Sequence, residues 1–522
     1  MKSRLDRRGF LKLLPLLSLV PLLKGEHRAA AVTRNRSPGR EGAPNVCIIL
    51  FDALSARHLS LHGYRRETTP NLARFAERAT VYHSHYAGGN FTVPGVASLL
   101  TGTYPWTTRA FHHAGLVVES YERRNMFRLF GDVYYRIAYP QNVWTNLMLH
   151  QFRGDIDVYI EPGRFSLADG TFYKLLSGDT DIAFRSLDDL LLRGASFPGS
   201  LFISLVNDVR MLGCEQVRLE EYADLYPRGV PRLRDIFFLF EHVIDGIIGL
   251  LKCVRRPFLA YFHLFPPHES YYPPHYPYSP RREFIGMFDD GWTPATKGVH
   301  PLSRSLSAES LNRQRVEYDE YVAYVDAEFG RLYDFMSESG LLDDSYVLIT
   351  SDHGQLFERG VHGHDTPLMY EPVIHIPLLI SKPGQRQRKD VRVPTSCVDV
   401  LPTLLHLTGQ PVPDWCEGEM LPGLAGEAGD GDNDARSVFS VEAKANPEQS
   451  PLVKGTVVLI KGQYKLIHYF GYPEYESTYE LYDLWSDPEE LEDLYLSRRA
   501  VAADMQGELE GKLREVNQPY IS

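Results

Sequence analysis

The sequence predicts an α/β fold, and three stretches carry that reading. NVCIILFD, residues 45 to 52, is an unbroken apolar run and reads as a fully buried strand of a parallel sheet. RVEYDEYVAYVDAEFGRLYDFMSESG, residues 315 to 340, has apolar residues at helical spacing up to a stop at Gly340. SYVLITSDHG, residues 345 to 354, follows as a second short buried strand. Helix, strand and polar loop in succession is the rhythm of an α/β sheet, whose ligand sites lie at the carboxyl ends of its strands. Asp52 and Asp352 both fall where such a strand gives way to a loop.

Residues 1 to 43 read as an export signal and linker. LDRRGFLKLLPLLSLVPLLKG has a basic start and an apolar run from Leu13 to Leu23, too short to span a bilayer comfortably, and Ala29-Ala30-Ala31 offers a cleavage site. Arg7-Arg8 followed by Gly9, Phe10, Leu11 and Lys12 resembles a bacterial twin-arginine signal, a receptor-read address for proteins exported already folded. An ordinary secretory signal or an uncleaved anchor is the other reading. Either places the mature chain outside the cytoplasm, in the periplasm or at the cell surface. RNRSPGREGAP then serves as a polar tether.

A first domain spans residues 44 to 422. Its stretch from 116 to 250 is the least legible, and IFFLFEHVIDGIIGLL within it is interrupted by Glu241, His242 and Asp245, which favours a buried helix over a membrane span. GLAGEAGDGDND, residues 423 to 434, is Gly/Asp-rich without apolar period and reads as a linker. In the C-terminal subdomain, residues 435 to 522, GTVVLIKGQYKLIHYF reads as a hairpin and residues 497 to 515 as a terminal helix. There is no internal repeat.

With 522 residues, 43% hydrophobic and 23% charged, the chain has the composition of an ordinary globular protein and length enough for a large core. A net charge of -12 argues against nucleic acid as partner, since phosphate backbones demand clustered Lys and Arg. A small anionic ester can still bind if a metal supplies local positive charge. The cysteines at 47, 214, 253, 397 and 416 show no paired metal spacing, and their odd number does not suit a disulfide framework.

Four separated segments offer metal or oxyanion chemistry. They are Asp52; Thr92 in GGNFTVPGVASLLTGTYP; His263 and His268 in HLFPPHESYYPP; and Asp352, His353, His362 and His364 in SDHGQLFERGVHGHD. Two strand-end carboxylates and an imidazole are enough for a divalent cation, with a hydroxyl and a water completing the site. One such ion could both acidify the hydroxyl and neutralise a phosphoryl or sulfuryl oxygen. Taken singly, a strand-end Asp is more often a cap or turn residue, and His362 and His364 could be surface loop residues. Convergence of the four segments, each supplying a different part of one reaction, is what favours function.

Together these segments resemble the sulfatase family of the alkaline phosphatase superfamily. The resemblance rests on the stretch from NVCIILFD to YHSHYA, then TVPGVASLLTGTYP, FHLFPPHESYYPP, YVLITSDHGQLFERGVHGH, YEPVIHIPLLI, VDVLPTLLHLTG and YELYDLWSDPEELEDL, seven blocks in the family's order between about residues 44 and 495. It implies a large central mixed β-sheet flanked by helices, with a smaller C-terminal sheet and helix packed on it. By position it makes Asp52, Asp352 and His353 metal ligands and Thr92 both nucleophile and fourth ligand. His268 and His364 would hold the transferable group or protonate the leaving oxygen.

The departures from the family pattern bear on mechanism. Sulfatases typically carry Cys or Ser, then x-Pro-x-Arg, and convert the first residue to formylglycine; here Thr92-Val93-Pro94-Gly95-Val96 has neither the convertible residue nor the arginine. Ala53 replaces a second aspartate and Thr366 a lysine. Threonine nucleophiles and an Asp-His pair at this position occur in phosphodiester-acting branches of the superfamily, and imidazole favours zinc or manganese, with calcium less suited. The expectation is therefore a one-metal hydrolase of phosphate or sulfate esters, small or carried on a glycan or lipid, with phosphate esters favoured and a second metal site left open. A phospho-group transferase acting on envelope lipid or glycan would use the same residues. A catalytically inactive binding protein on the same scaffold is a third reading, motivated by Val96 and Thr366.

Overall fold

In a computed structural model, residues 42–113, 115–167, 220–233, 236–270, 278–424, 436–475 and 479–521 are described. The export segment up to residue 41, Cys214 and nearly all of the 423–434 linker lie outside the described residues.

Strands Asn45–Phe51 (β1), Thr80–Tyr82 (β2), Tyr135–Pro140 (β3), Val158–Tyr159 (β4), Phe258–Leu264 (β5), Ser345–Thr350 (β6), Leu378–Ser381 (β7) and Lys389–Val391 (β8) form one eight-stranded sheet, ordered β8-β2-β7-β6-β1-β5-β3-β4. β7 is antiparallel to both neighbours, and the remaining pairs are parallel, so the sheet is mixed. β1 is central and buried on both faces, which is why its sequence is apolar without alternation.

Its alternate side chains feed two cores. Cys47, Ile49 and Phe51 pack with helices Phe240–Cys253 and Ala308–Glu338, while Val46, Ile48 and Leu50 pack with helices Thr92–Thr101, Val143–Gln151 and Val400–Leu407. In chain order we label these helices α1 (Thr92–Thr101), α2 (Val143–Gln151), α3 (Phe240–Cys253), α4 (Ala308–Glu338) and α5 (Val400–Leu407). The Ser307 side chain caps α4, accepting from the Ser310 N–H, and Gly340, at φ 72°, lies just past its end.

α3 begins later than its apolar stretch suggests, because Ile236–Phe237 forms a short strand. Phe240, Val243, Ile244, Ile247 and Leu251 make its one buried stripe. Among the described residues no helix is long and apolar enough to cross a membrane.

The C-terminal sheet comprises Ser437–Glu442 (β9), Gly455–Lys461 (β10), Tyr464–Phe470 (β11) and Tyr479–Asp483 (β12), antiparallel and in sequence order. Gly462, at φ 57°, opens the two-residue turn between β10 and β11. One face packs on helix Arg499–Asn517 (α6) and on Trp106, the other on Leu356, Leu368 and Ile374. The sheet belongs to the same compact unit as the central one. The Val441 N–H donates to the Gly88 carbonyl at 2.9 Å, fastening β9 to the segment that leads into Thr92.

Candidate active site

Asp52 is the first residue after β1, and Asp352 lies two residues beyond β6. Because β1 and β6 are parallel neighbours in register at Leu50 and Thr350, both carboxylates emerge at the same edge of the sheet. Thr92 opens α1, and His263 sits one residue before the end of β5, opposite Leu50. All are buried.

Three atoms point to a cation. Asp52 Oδ1, Asp352 Oδ2 and His353 Nε2 are buried with no hydrogen-bond partner, while candidate ligand atoms of these residues lie within 4.8 Å of one another. The His353 Nδ1–H donates to the Gly354 carbonyl at 2.9 Å, so in the neutral ring the lone pair is on Nε2. Orphaned buried polar atoms carry a desolvation penalty, and a divalent ion is the group that would satisfy all three together.

Electrostatics agrees with that geometry. Burial pushes Asp52 up, but the charge of His268 and the close approach of the His263 and His353 rings outweigh it and hold the carboxyl well below its ordinary range. Burial, reinforced by the Asp52 charge, raises Asp352. Burial disfavours the charged His353 ring, yet Asp352 and Asp52 together lift it to about 9. Two carboxylates in so dry a position need a compensating positive charge, from a proton or from a metal.

Local structure holds the ligands in place. Ala53 sits in the left-handed region at φ 58°, its N–H donating to Asp352 Oδ1 at 3.2 Å and its carbonyl accepting from the Tyr318 hydroxyl at 2.6 Å. On the other side, α1 approaches Asp352 so closely that a Cβ on Gly95 would stand 2.2 Å from the Asp352 carbonyl oxygen. Only glycine permits that approach, and it sets Thr92 beside the carboxylates.

The histidines divide into two groups. His268 and His364 lie over His353, with ring centroids 6.2 and 4.2 Å from it and 4.8 Å from each other. Each donates from Nδ1: His268 to the Glu269 carbonyl at 2.7 Å, and His364 to Gln355 Oε1 at 2.7 Å. Burial lowers both, His364 strongly, where the charges of His353 and His268 add to the effect. His362 instead faces Tyr278 at 3.0 Å and Glu269 at 3.1 Å.

Three further residues join the site, and two of them, Asn142 and Lys444, have no signal in the sequence that would single them out. Asn142 caps α2, its Oδ1 accepting from the Trp144 N–H, and its amide nitrogen donates to Asp52 Oδ2 and lies 3.4 Å from the Thr92 hydroxyl. His263, a candidate from its segment but given no individual role there, places Nε2 3.1 Å from Asp52 Oδ2 and 3.8 Å from Asp352 Oδ2. Lys444, beyond β9, pairs with Asp365 next to His364 and stands 5.5 Å from the ring of Phe91, the residue before Thr92. Neither family position that lost its cation regains one: Val96 is buried in the apolar core, and the Thr366 hydroxyl accepts from the Leu368 N–H.

Comparison with known proteins identifies the family of the chain. Residues 44–154 and 232–410 match the family model described as Sulfatase, and residues 360–519 match that described as N-sulphoglucosamine sulphohydrolase, C-terminal. The chain is 24% identical over 477 residues to a choline-sulfatase of Rhizobium meliloti, covering 87% of this chain and 82% of that one. It is 30% identical over 206 residues to an N-acetylglucosamine-6-O-sulfatase of Bacteroides thetaiotaomicron, covering 39% and 36%. Among solved structures, a phosphonate monoester hydrolase from Silicibacter pomeroyi superposes with a TM-score of 0.61 at 19% identity, over 91% of this chain and 96% of that one. A protein in complex with its substrate D-glucosamine-2-N,6-O-disulfate superposes with a TM-score of 0.63 at 17% identity, over 92% and 98%. The chain belongs to the sulfatase family, and is an ester hydrolase of the alkaline phosphatase superfamily.

Proposed function

We propose that the chain hydrolyses phosphate or sulfate esters, phosphate esters preferentially, with Thr92 as nucleophile. The observation that carries this reading is the set of orphaned atoms on Asp52, Asp352 and His353 beside a threonine hydroxyl. Those three residues, with Thr92, would hold a divalent cation, zinc or manganese before calcium because one donor is imidazole. When bound, the ion supplies positive charge that lowers the hydroxyl's pKa and offsets charge on an ester oxygen.

The chain's own groups do the rest. Asn142 orients the Thr92 oxygen and Asp52 relative to each other through one amide. Thr92 Oγ1 attacks phosphorus or sulfur, the ester oxygen leaves, and a threonyl ester is formed that water then cleaves. His268 and His364 each commit the Nδ1–H to a fixed acceptor, so in the neutral ring Nε2 carries the lone pair, which takes up the proton that Thr92 loses and passes it to the leaving oxygen. Phosphate is favoured because the residues suited to a terminal sulfate, a formylglycine precursor and the cations at 96 and 366, are replaced by Thr92, Val96 and Thr366.

The substrate is a small ester or one carried on a glycan or lipid, and we place the protein outside the cytoplasm on the strength of Arg7-Arg8 and the apolar run after them. The test is a set of p-nitrophenyl phosphate, phosphonate and sulfate esters assayed with zinc, manganese or calcium. Faster turnover of the phosphorus esters supports the reading. Turnover confined to the sulfate ester rejects the preference, and loss of no activity on chelation rejects the metal.

A further inference from the structure

A second cavity, of about 340 Å³, is walled by the segment after Asp52, by Trp292 to Ala295 and by Phe357 and Glu358. None of Asp52, Thr92, His268, Asp352, His353 and His364 lines it. Its carboxylates already have cations. Glu358 pairs with Lys297 at 2.7 Å, and Glu489 pairs with Lys297 at 3.0 Å and with Arg57. Asp319, behind the wall, is held by Arg66 and His58.

Two lining arginines remain. Arg315 is only 7% exposed and gives one N–H to the Phe357 carbonyl; Arg65 is exposed and lies 5.6 Å from the Trp292 ring centroid. Among the described residues neither has an ion pair. His62 lines the same cavity with both ring nitrogens buried and without partners. A buried guanidinium without a counter-charge is costly, and arginine's planar fork suits the paired oxygens of an oxyanion. The cavity is larger than a bare tetrahedral anion, leaving room for a sugar ring against Trp292.

We infer that this cavity is a second ligand site, one that takes a sulfate, phosphate or carboxylate group on Arg315 and Arg65. The anion is either free or carried on a sugar. Calorimetric titration of the metal-loaded full-length chain with inorganic sulfate, inorganic phosphate, glucose 6-sulfate and glucuronate separates these sources. Binding at this cavity should survive Asp352→Asn, which cripples the other site, and should weaken about tenfold or more in Arg65→Ala and in Arg315→Gln. The exposed Arg65 keeps the test valid if the Arg315 variant does not fold. Tighter binding of glucose 6-sulfate than of inorganic sulfate assigns the anion to a sugar; equal or tighter binding of the inorganic ions assigns a free anion. Absence of any binding that survives Asp352→Asn, or unchanged affinity in the arginine variants, overturns the inference.

Discussion

Asp52 and Asp352 leave the ends of adjacent parallel strands and converge so closely that one imidazole nitrogen, His263 Nε2, lies 3.1 Å from the first and 3.8 Å from the second. Both are buried, and their pKa values move in opposite directions, Asp52 down and Asp352 up. The pair is a site in need of a cation, and the first prediction follows from that need.

Zinc or manganese should raise the thermal stability of the metal-stripped chain, by about 2.7 kcal/mol at a hundredfold excess over the dissociation constant. Asp352→Asn should abolish the shift while leaving the circular dichroism spectrum intact. An equal metal-dependent shift in the variant would place the ion elsewhere.

Gly95 carries the second prediction, because the Asp352 carbonyl occupies the place its Cβ would take. Gly95→Ala should move the start of α1 away from Asp352 and lower kcat/KM about a hundredfold, the usual consequence of displacing a reacting group by about 1 Å. Metal binding measured in the same variant should weaken as well. Native turnover in Gly95→Ala would mean that the close approach does not position Thr92.

Acid sensitivity gives the third. Burial pushes Glu480 up, but bonds from His300, Tyr475 and Tyr370 outweigh it and lower the carboxyl to about 2, against 4.5 for an ordinary glutamate. With the folded value below the unfolded one, its contribution is present above pH 4.5 and is lost as the pH falls through the window down to about 2. Urea unfolding between pH 5 and 2, a range of roughly three units, should show the native chain losing about 3 kcal/mol more than Glu480→Gln. Parallel curves for the two proteins would refute the assignment.

Much of this architecture is legible in the sequence because its carriers are long. The unbroken apolar run of β1, the helical period of α4 and the hairpin of β10 and β11 extend over many residues, and each has both faces or one full stripe buried. The same strand ends mark Asp52 and Asp352. β3 is harder to read, since Arg136 sits in the strand and is buried by pairing with Asp157, the residue before β4, and by donating to the Phe127 carbonyl. Asn142, Gln355 and Lys444 are single polar residues whose local pattern is that of a cap or a loop. What brings them to the site is distant in sequence: Asn142 meets Asp52 across 90 residues, and Asn90 holds the carbonyls of His364 and Thr366 at 2.9 and 2.6 Å.

The central claim is that Thr92 is the nucleophile, and kcat/KM of Thr92→Ala for a phosphate ester tests it most directly. The substitution removes an activated hydroxyl and a metal donor together while changing little in the packing, so the account predicts a loss of about ten-thousandfold or more. Thr92→Ser, which keeps the hydroxyl and loosens only its rotamer, should retain part of the activity. An alanine variant that turns over the ester as fast as the native chain would contradict the account.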